Sequence, residues 1–392
     1  MPHVLQCLNR TISELLPYMT EARRHLHGIP ELAFQEARTA DYVAAQLAEM
    51  GYAPVRGQVG TSVTAVLDTG RPGPYIMLRA DMDGLPVAEE TGLPFASAHP
   101  GRMHACGHDG HMAMLLGTAK TLLAIKEHLR GKIMLLFQPA EEDRGGAEPI
   151  VASGMLEGVD FCLGAHIWPE LPHGVVGVRA GPLMASVGRF EIKVQGRGGH
   201  SSQPHLCVDA LDVAGQIVVA LRRIPAQQVD PLAPAVLTIG CLQSGATYNV
   251  IPDTALILGC VRTYDMGLYQ RWGELIGSAA QGVAAAYGAS CSVSFVPGHP
   301  AVVNPPELAA VLREAAVGAV GEGRVAEPAP SLAGEDFSCY QEAMPGCFFF
   351  IGSGQGGHAP LHNPHFDFKE DLLAVGPAVF CRAVLALGKA PA

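Results

Sequence analysis

The hydrophobic pattern changes period along the chain. Residues 11–50 carry apolar positions at helical spacing, broken at residues 28–31 by Gly-Ile-Pro-Glu and closed by Gly51, a residue suited to a helix C-terminus. Beyond Gly51 the period shortens. TSVTAVLD (61–68) and PYIMLRAD (74–81) are β-branched or apolar runs ending in Asp. HMAMLLGTAKTLLAIKEHL (111–129) reads as a helix, and KIMLLFQPAEE (132–142) and DFCLGAHIWP (160–169) after it are apolar runs that stop at polar residues. Strands alternating with helices predict an α/β fold, a mostly parallel sheet sandwiched by helices. In such a sheet ligands gather beyond the carboxyl ends of the strands, which is where Asp81, Asp83, Glu141, Glu142 and His166 fall.

From residue 186 to 297 the order becomes strand, helix, strand, strand, helix, strand: VGRFEIKVQ, CVDALDVAGQIVVALRRI, PAVLTIGCL, TALILGCVRT, GLYQRWGELIGSAAQGVAAAYG and SCSVSFVP. This split βαββαβ order predicts a ferredoxin-like α+β unit. Because FFFI (348–351) and the helical stretch 371–388 resume the first pattern, the unit reads as an insertion. The expected organisation is a discontinuous catalytic domain of residues 1–185 and 298–392, with an inserted domain at 186–297.

Composition narrows the function classes. The 392 residues are 48% hydrophobic and 16% charged, enough apolar material for a large core and too little charge for a disordered chain. A net charge of −11 without a long Lys/Arg cluster argues against a nucleic-acid or anionic-membrane partner. Ten scattered cysteines without a CxxC pair match reduced thiols and a cytoplasmic location. Arg10 and Glu14 interrupt what a signal peptide would keep apolar, and no 18-residue apolar run suggests a membrane span.

Candidate chemistry concentrates in MHACGHDGHMAML (103–115), where Cys106 and His108 stand two apart as a helix begins and can face one metal. Glu141 and Glu142 end an apolar strand, where side-by-side burial is costly without a cation. One can bind metal while the other manages a proton. His166 ends another apolar strand and His362 stands near the C-terminus in PLHNPHF. Each has a structural reading alone, as a buried small thiol, a solvated acidic loop or a core imidazole. Together a thiolate, three imidazoles and a carboxylate at successive strand ends match a closely spaced two-metal site.

In this order RRHLHGIPELAFQE, RADMDGLPV, MHACGHDGHMAMLLG, LFQPAEE, GAHIWP, GRGGHSSQPH, NVIPD, AGEDFS and LHNP run through nearly the whole chain. The set resembles the metal-dependent amidohydrolases that include hippurate hydrolases, N-acyl-amino-acid deacylases and auxin-conjugate hydrolases, relatives of aminoacylases and metallo-carboxypeptidases. The resemblance implies that Cys106, His108, Glu142, His166 and His362 bind two divalent ions, with Cys106 bridging them and Glu141 as general base. It departs from the wider relatives at Asp81, which stands where they have a histidine ligand; His108 is the expected replacement, with Asp83 orienting a ligand. In the inserted domain it implies that His200 reaches a neighbouring subunit's site to stabilise an oxyanion. That makes the domain a lid and dimerisation element and the protein a homodimer or dimer-based oligomer. Asn249 and Arg262 are implied substrate contacts, Arg262 suiting a carboxylate. Glu335 and Asp336 in AGEDFS are further candidates behind the ligands, or else a capped helix start.

The expected reaction is hydrolysis of a small N-acyl amino acid to a carboxylic acid and a free amino acid, with zinc, manganese, cobalt or nickel as the divalent ions. A dipeptidase or carboxypeptidase-like peptidase and a metal-binding module without turnover are the alternatives. GSGQGG (352–357) formally satisfies the dinucleotide fingerprint, but Pro360 and Pro364 follow where a helix should open.

Overall fold

The structure is a computed structural model that describes residues 2–143, 145–357 and 359–389. Its elements begin with α1 (Pro2–His27), α2 (Ala37–Glu49), β1 (Val55–Arg56), β2 (Val63–Asp68), β3 (Tyr75–Asp81), α3 (His108–Ala124), β4 (Lys132–Gln138), α4 (Ala147–Ala152) and β5 (Phe161–Pro172). There follow β6 (Val176–Gly177), β7 (Gly181–Met184), β8 (Ser186–Gln195), β9 (Gly199–His200), α5 (Ala210–Gln228), β10 (Ala235–Ser244), β11 (Val250–Ile251), β12 (Thr254–Thr263), α6 (Met266–Ala286) and β13 (Ser290–Pro297). The chain ends with β14 (Val302–Asn304), α7 (Pro306–Val320), β15 (Val325–Ala326), α8 (Ser338–Ala343), β16 (Gly346–Gly354) and α9 (Val375–Leu387).

The chain divides into two compact units, one of Met1–Leu183, Val303–Ala329 and Asp336–Ala392, the other of Met184–Val302 and Pro330–Glu335. In the first, eight strands lie in the order β1-β2-β4-β3-β5-β16-β6-β15. The central four, β4, β3, β5 and β16, run parallel. They are buried almost end to end, because helices cover both faces and leave no solvent side for polar alternation. Strands β2 and β6 join antiparallel, a direction the apolar runs do not encode since only the pairing partner sets it.

Helix α1 begins at Pro2, earlier than the pattern predicts, because Val4 and Leu8 extend the buried stripe of Ile12, Met19, Ala22 and Leu26. Its C-terminal end is tied to α3 by buried charges: Arg23 Nε donates to Asp109 at 2.9 Å and His27 Nδ1 lies 2.8 Å from the same oxygen. Burial alone would lower the His27 imidazole, but its bonds to Asp109 and Glu89 raise it to about 9. Removing one member of such a buried ion group typically costs about 3–5 kcal/mol.

The second unit has its own core around Phe190, Ile192, Leu221, Ile257 and Trp272. Its sheet order β10-β12-β8-β13 is antiparallel throughout, and with α5 and α6 this is ferredoxin-like topology. Strand β8 alternates buried and more exposed positions, as a sheet with helices on one face requires. Asp209 and Asp265 start α5 and α6, each side chain accepting two backbone N–H bonds. Pro330–Glu335 belongs with this unit, outside the sequence boundaries of 186–297. Ala185 N donates to Ala333 O at 2.9 Å and Arg262 Nη1 to Leu332 O at 2.7 Å, bonds between distant segments that local pattern does not carry.

Candidate metal centre

Four segments of the first unit bring their polar side chains together: the turn before α3, the turn after β4, the middle of β5 and the loop after β16. Gly107, at a left-handed φ of 85°, turns the chain sharply between Cys106 and His108. The candidate ligand atoms of Cys106, His108 and His166 lie within 4.8 Å of one another, as do those of Cys106, Glu142 and His362, and those of His108, Glu141 and Glu142. Cys106 is common to the first two groups. Two three-donor groups sharing a thiol have the composition of a site for two adjacent cations.

His166 is oriented by a bond the carbonyl can only accept. Its Nδ1–H donates to Ile167 O at 2.6 Å, which leaves the Nε2 lone pair directed to the cluster, 3.4 Å from Cys106 Sγ. Burial and the nearby His111 lower this imidazole to about 3, so it stays neutral. His111 in turn accepts from Ile167 N at Nε2 (2.9 Å), so its Nδ1–H donates to Asp81 Oδ1 at 2.7 Å. The other Asp81 oxygen accepts from Arg79 Nη1 at 2.7 Å. Asp81 is thus engaged behind the cluster, and His108 stands in front of it, 3.7 Å from Asp81 Oδ2 and 3.4 Å from Asp83 Oδ1.

The turn after β4 is held by its backbone. Asp83 accepts from the amides of Glu141 and Glu142, each at 3.0 Å. Ala140 takes a left-handed φ of 59°, and a Cβ at Gly146 would collide with the Pro139 carbonyl, so glycine is required there. Asp336 lies beneath, accepting from Arg79 Nη2 (3.0 Å), Gln138 Nε2 (2.8 Å) and Ala147 N (3.0 Å). His362 is also left-handed, φ 63°, and its amide donates to Ala105 O at 2.8 Å, next to Cys106.

The electrostatics fit a cation. Burial opposes charge on His108, yet Asp81, Asp83 and Glu142 raise it to about 10, and both its ring nitrogens are buried without a hydrogen-bond partner. Burial and the Glu142 and Glu141 carboxylates push the Cys106 thiol up. Burial would also raise Glu142, but His362, 3.2 Å away, and His108 hold it down. Crowded carboxylates around an orphaned imidazole and a reluctant thiol lose this conflict when a divalent ion neutralises them, since a coordinating thiol is deprotonated. The residues present therefore fit two divalent ions.

His200, Asn249 and Arg262 lie in the second unit. His200 pairs with Val250 across β9 and β11, next to Asn249; both residues are exposed, and the Ser202 amide donates to His200 Nδ1 at 3.1 Å. Arg262 is half-buried on β12. Glu335 also belongs to this unit, unlike its neighbour Asp336.

Residues 77–386 match the peptidase family M20/M25/M40. The chain belongs to this family. A protein of Bacillus subtilis (strain 168) named N-acetyl-L-cysteine deacetylase is 42% identical over 359 residues, 92% of this chain and 85% of that one. Thermostable carboxypeptidase 2 of Saccharolobus solfataricus is 38% identical over 392 residues, 98% of each. The crystal structure of a Bacillus subtilis dinuclear metal-binding peptidase of the M20 family matches with TM-score 0.83 and 36% identity, over 96% of this chain and 99% of that chain. As an M20 member the chain is a metal-dependent amidohydrolase.

Sequence reasoning left His111 of this M20 chain without a role. Its signal was the three-residue step from His108, which puts both on one face of α3. Arg79, Gln138 and Tyr340, which with Asp336 form a buried network behind the carboxylate turn, had no such local signal. The GSGQGG run continues β16 to Gly354, and the described residues from 355 to 369 open no helix, so the dinucleotide reading fails.

Proposed function

We propose that the protein hydrolyses N-acyl amino acids at the amide bond, releasing a carboxylic acid and a free amino acid. The observation that carries this is Glu141 beside two donor groups that share Cys106: a second carboxylate that ligand number alone does not require. The relative named N-acetyl-L-cysteine deacetylase supports the substrate class.

Cys106, His108, Glu142, His166 and His362 would hold the two divalent ions. When bound, such an ion pair supplies Lewis acidity that acidifies water and polarises a carbonyl oxygen. Glu141 takes a proton from the attacking water and later delivers it to the departing amine nitrogen. His200 of a second copy donates to the carbonyl oxygen as it gains charge. Asn249 and Arg262 bind the amino-acid half, Arg262 pairing with its free carboxylate and so fixing the amide for attack.

Protein loaded in turn with zinc, manganese, cobalt or nickel and incubated with N-acetyl amino acids, hippurate and free dipeptides tests the reading by release of amine. Turnover of the N-acyl amino acids above the dipeptides is expected. Preference for dipeptides would favour the peptidase reading, which the carboxypeptidase relative supports. No amine released by metal-loaded protein would leave a binding module.

The part assigned to His200 requires a dimer. Mixing inactive His200→Ala and Glu141→Gln proteins under conditions that exchange subunits is expected to regain activity, because the mixed dimer holds one intact combination. Mixed dimers that stay inactive would remove His200 from a neighbour's site.

A further inference from the structure

Three successive amides, those of Ala140, Glu141 and Glu142, donate to two buried carboxylates. Asp83 takes the second and third, and Glu36 Oε1 takes the first at 3.0 Å. Glu36 is 0% exposed, and it comes from LAFQE, a stretch 104 residues earlier in the chain that the proposed chemistry does not use. The same Oε1 accepts from Phe34 N at 3.0 Å, and Oε2 accepts from the Thr61 hydroxyl at 2.5 Å. Glu36 stands at the N-cap of α2, yet its side chain makes no capping bond there. A residue that forgoes the capping use of its carboxylate spends it on the backbone of its own loop and on a distant turn.

What it holds is unusual backbone. Ala140 and Phe34 are two of the three non-glycine residues with positive φ among the described residues, both at 59°, and both give their amides to this one oxygen. A left-handed alanine costs of order 1–3 kcal/mol and persists only where its surroundings over-determine it. From the other side, Gly146 N donates to Ala140 O at 3.0 Å. The dihedral angles of Ala140 set the direction in which the next side chain, Glu141, leaves the turn.

We propose that Glu36 is a positioning residue for Glu141: its buried carboxylate holds Ala140 in the left-handed conformation that fixes the direction of the Glu141 side chain. The inference rests on the reading of Glu141 as the proton carrier. Glu36 does not touch the substrate or the ions; it acts through one backbone amide.

The test compares Glu36→Ala and Glu36→Gln, each alone and combined with Glu141→Gln, by kcat, KM and bound metal per chain. Glu36→Ala is expected to lower kcat about 10²-fold, the scale of a misplaced catalytic group, with KM and metal content unchanged. Glu36→Gln is expected to restore the rate, because an amide oxygen accepts the same two N–H bonds. In the Glu141→Gln background Glu36→Ala is expected to cost nothing more, since residues acting as one unit are not additive. A wild-type kcat in Glu36→Ala, no rescue by Gln, or an equal loss in the Glu141→Gln background overturns the proposal while leaving Glu141 in its role. Glu141→Gln alone at the wild-type rate instead overturns the role of Glu141 and this proposal with it. If Glu36→Ala does not fold, Thr61→Val loosens the carboxylate without removing it; a several-fold fall in kcat only while Glu141 is present supports the proposal, and an unchanged kcat sinks it.

Discussion

Glu141→Gln is expected to lower kcat by about 10²–10⁴-fold, the usual contribution of a positioned acid–base group, with KM and bound metal close to wild type. The substitution is nearly isosteric, and the two amides of the turn remain bonded to Asp83, so the backbone under residue 141 keeps its shape. What disappears is a group able to take a proton and return it. A fall in kcat without a rise in KM is the signature of an interaction made only as the reaction proceeds. Metal content measured on the same sample separates this from ligand loss. A variant that keeps its rate would take the proton-carrier role away from Glu141.

Cys106→Ala is expected to remove most bound metal and with it essentially all turnover. Cys106 is the member shared by the two donor groups with His166 and with His362, so its loss leaves each group one donor short. Cys106→Asp is expected to recover part of the metal, because a carboxylate can also bridge, with preference moving from zinc toward manganese as the ligand hardens. Metal per chain by elemental analysis reads both outcomes. Full metal occupancy in Cys106→Ala would make the thiol a packing residue.

Individual residues divide between what local pattern announces and what it cannot. Cys106 and His108 are legible because residues two apart at the start of a helix can face one point, although a long loop from β3 and not a tight turn leads into α3, and the pair Glu141 and Glu142 is legible because a strand end buries what precedes it. His362 is legible only as one histidine among several until its left-handed backbone, tied to Ala105, brings it to Glu142. The groups that orient the ligands are the illegible part. His111 finds Ile167 and Asp81, Asp336 finds Arg79 and Gln138, and Glu36 finds Ala140, each across a sequence separation that no period or motif spans.

The amino-acid sequence by itself determined the alternation of strands and helices, the split order of the second unit, the acidic net charge and the residue types able to hold divalent ions. These follow from spacing and composition, which are local properties. Tertiary structure alone decided that β2 runs against β4 and β6 against β16, that Pro330–Glu335 returns to the second unit, and which nitrogen of His166 is left facing the cluster. Those outcomes depend on which hydrogen-bond partner a buried group meets, and a chain reveals that only once its distant segments are packed together.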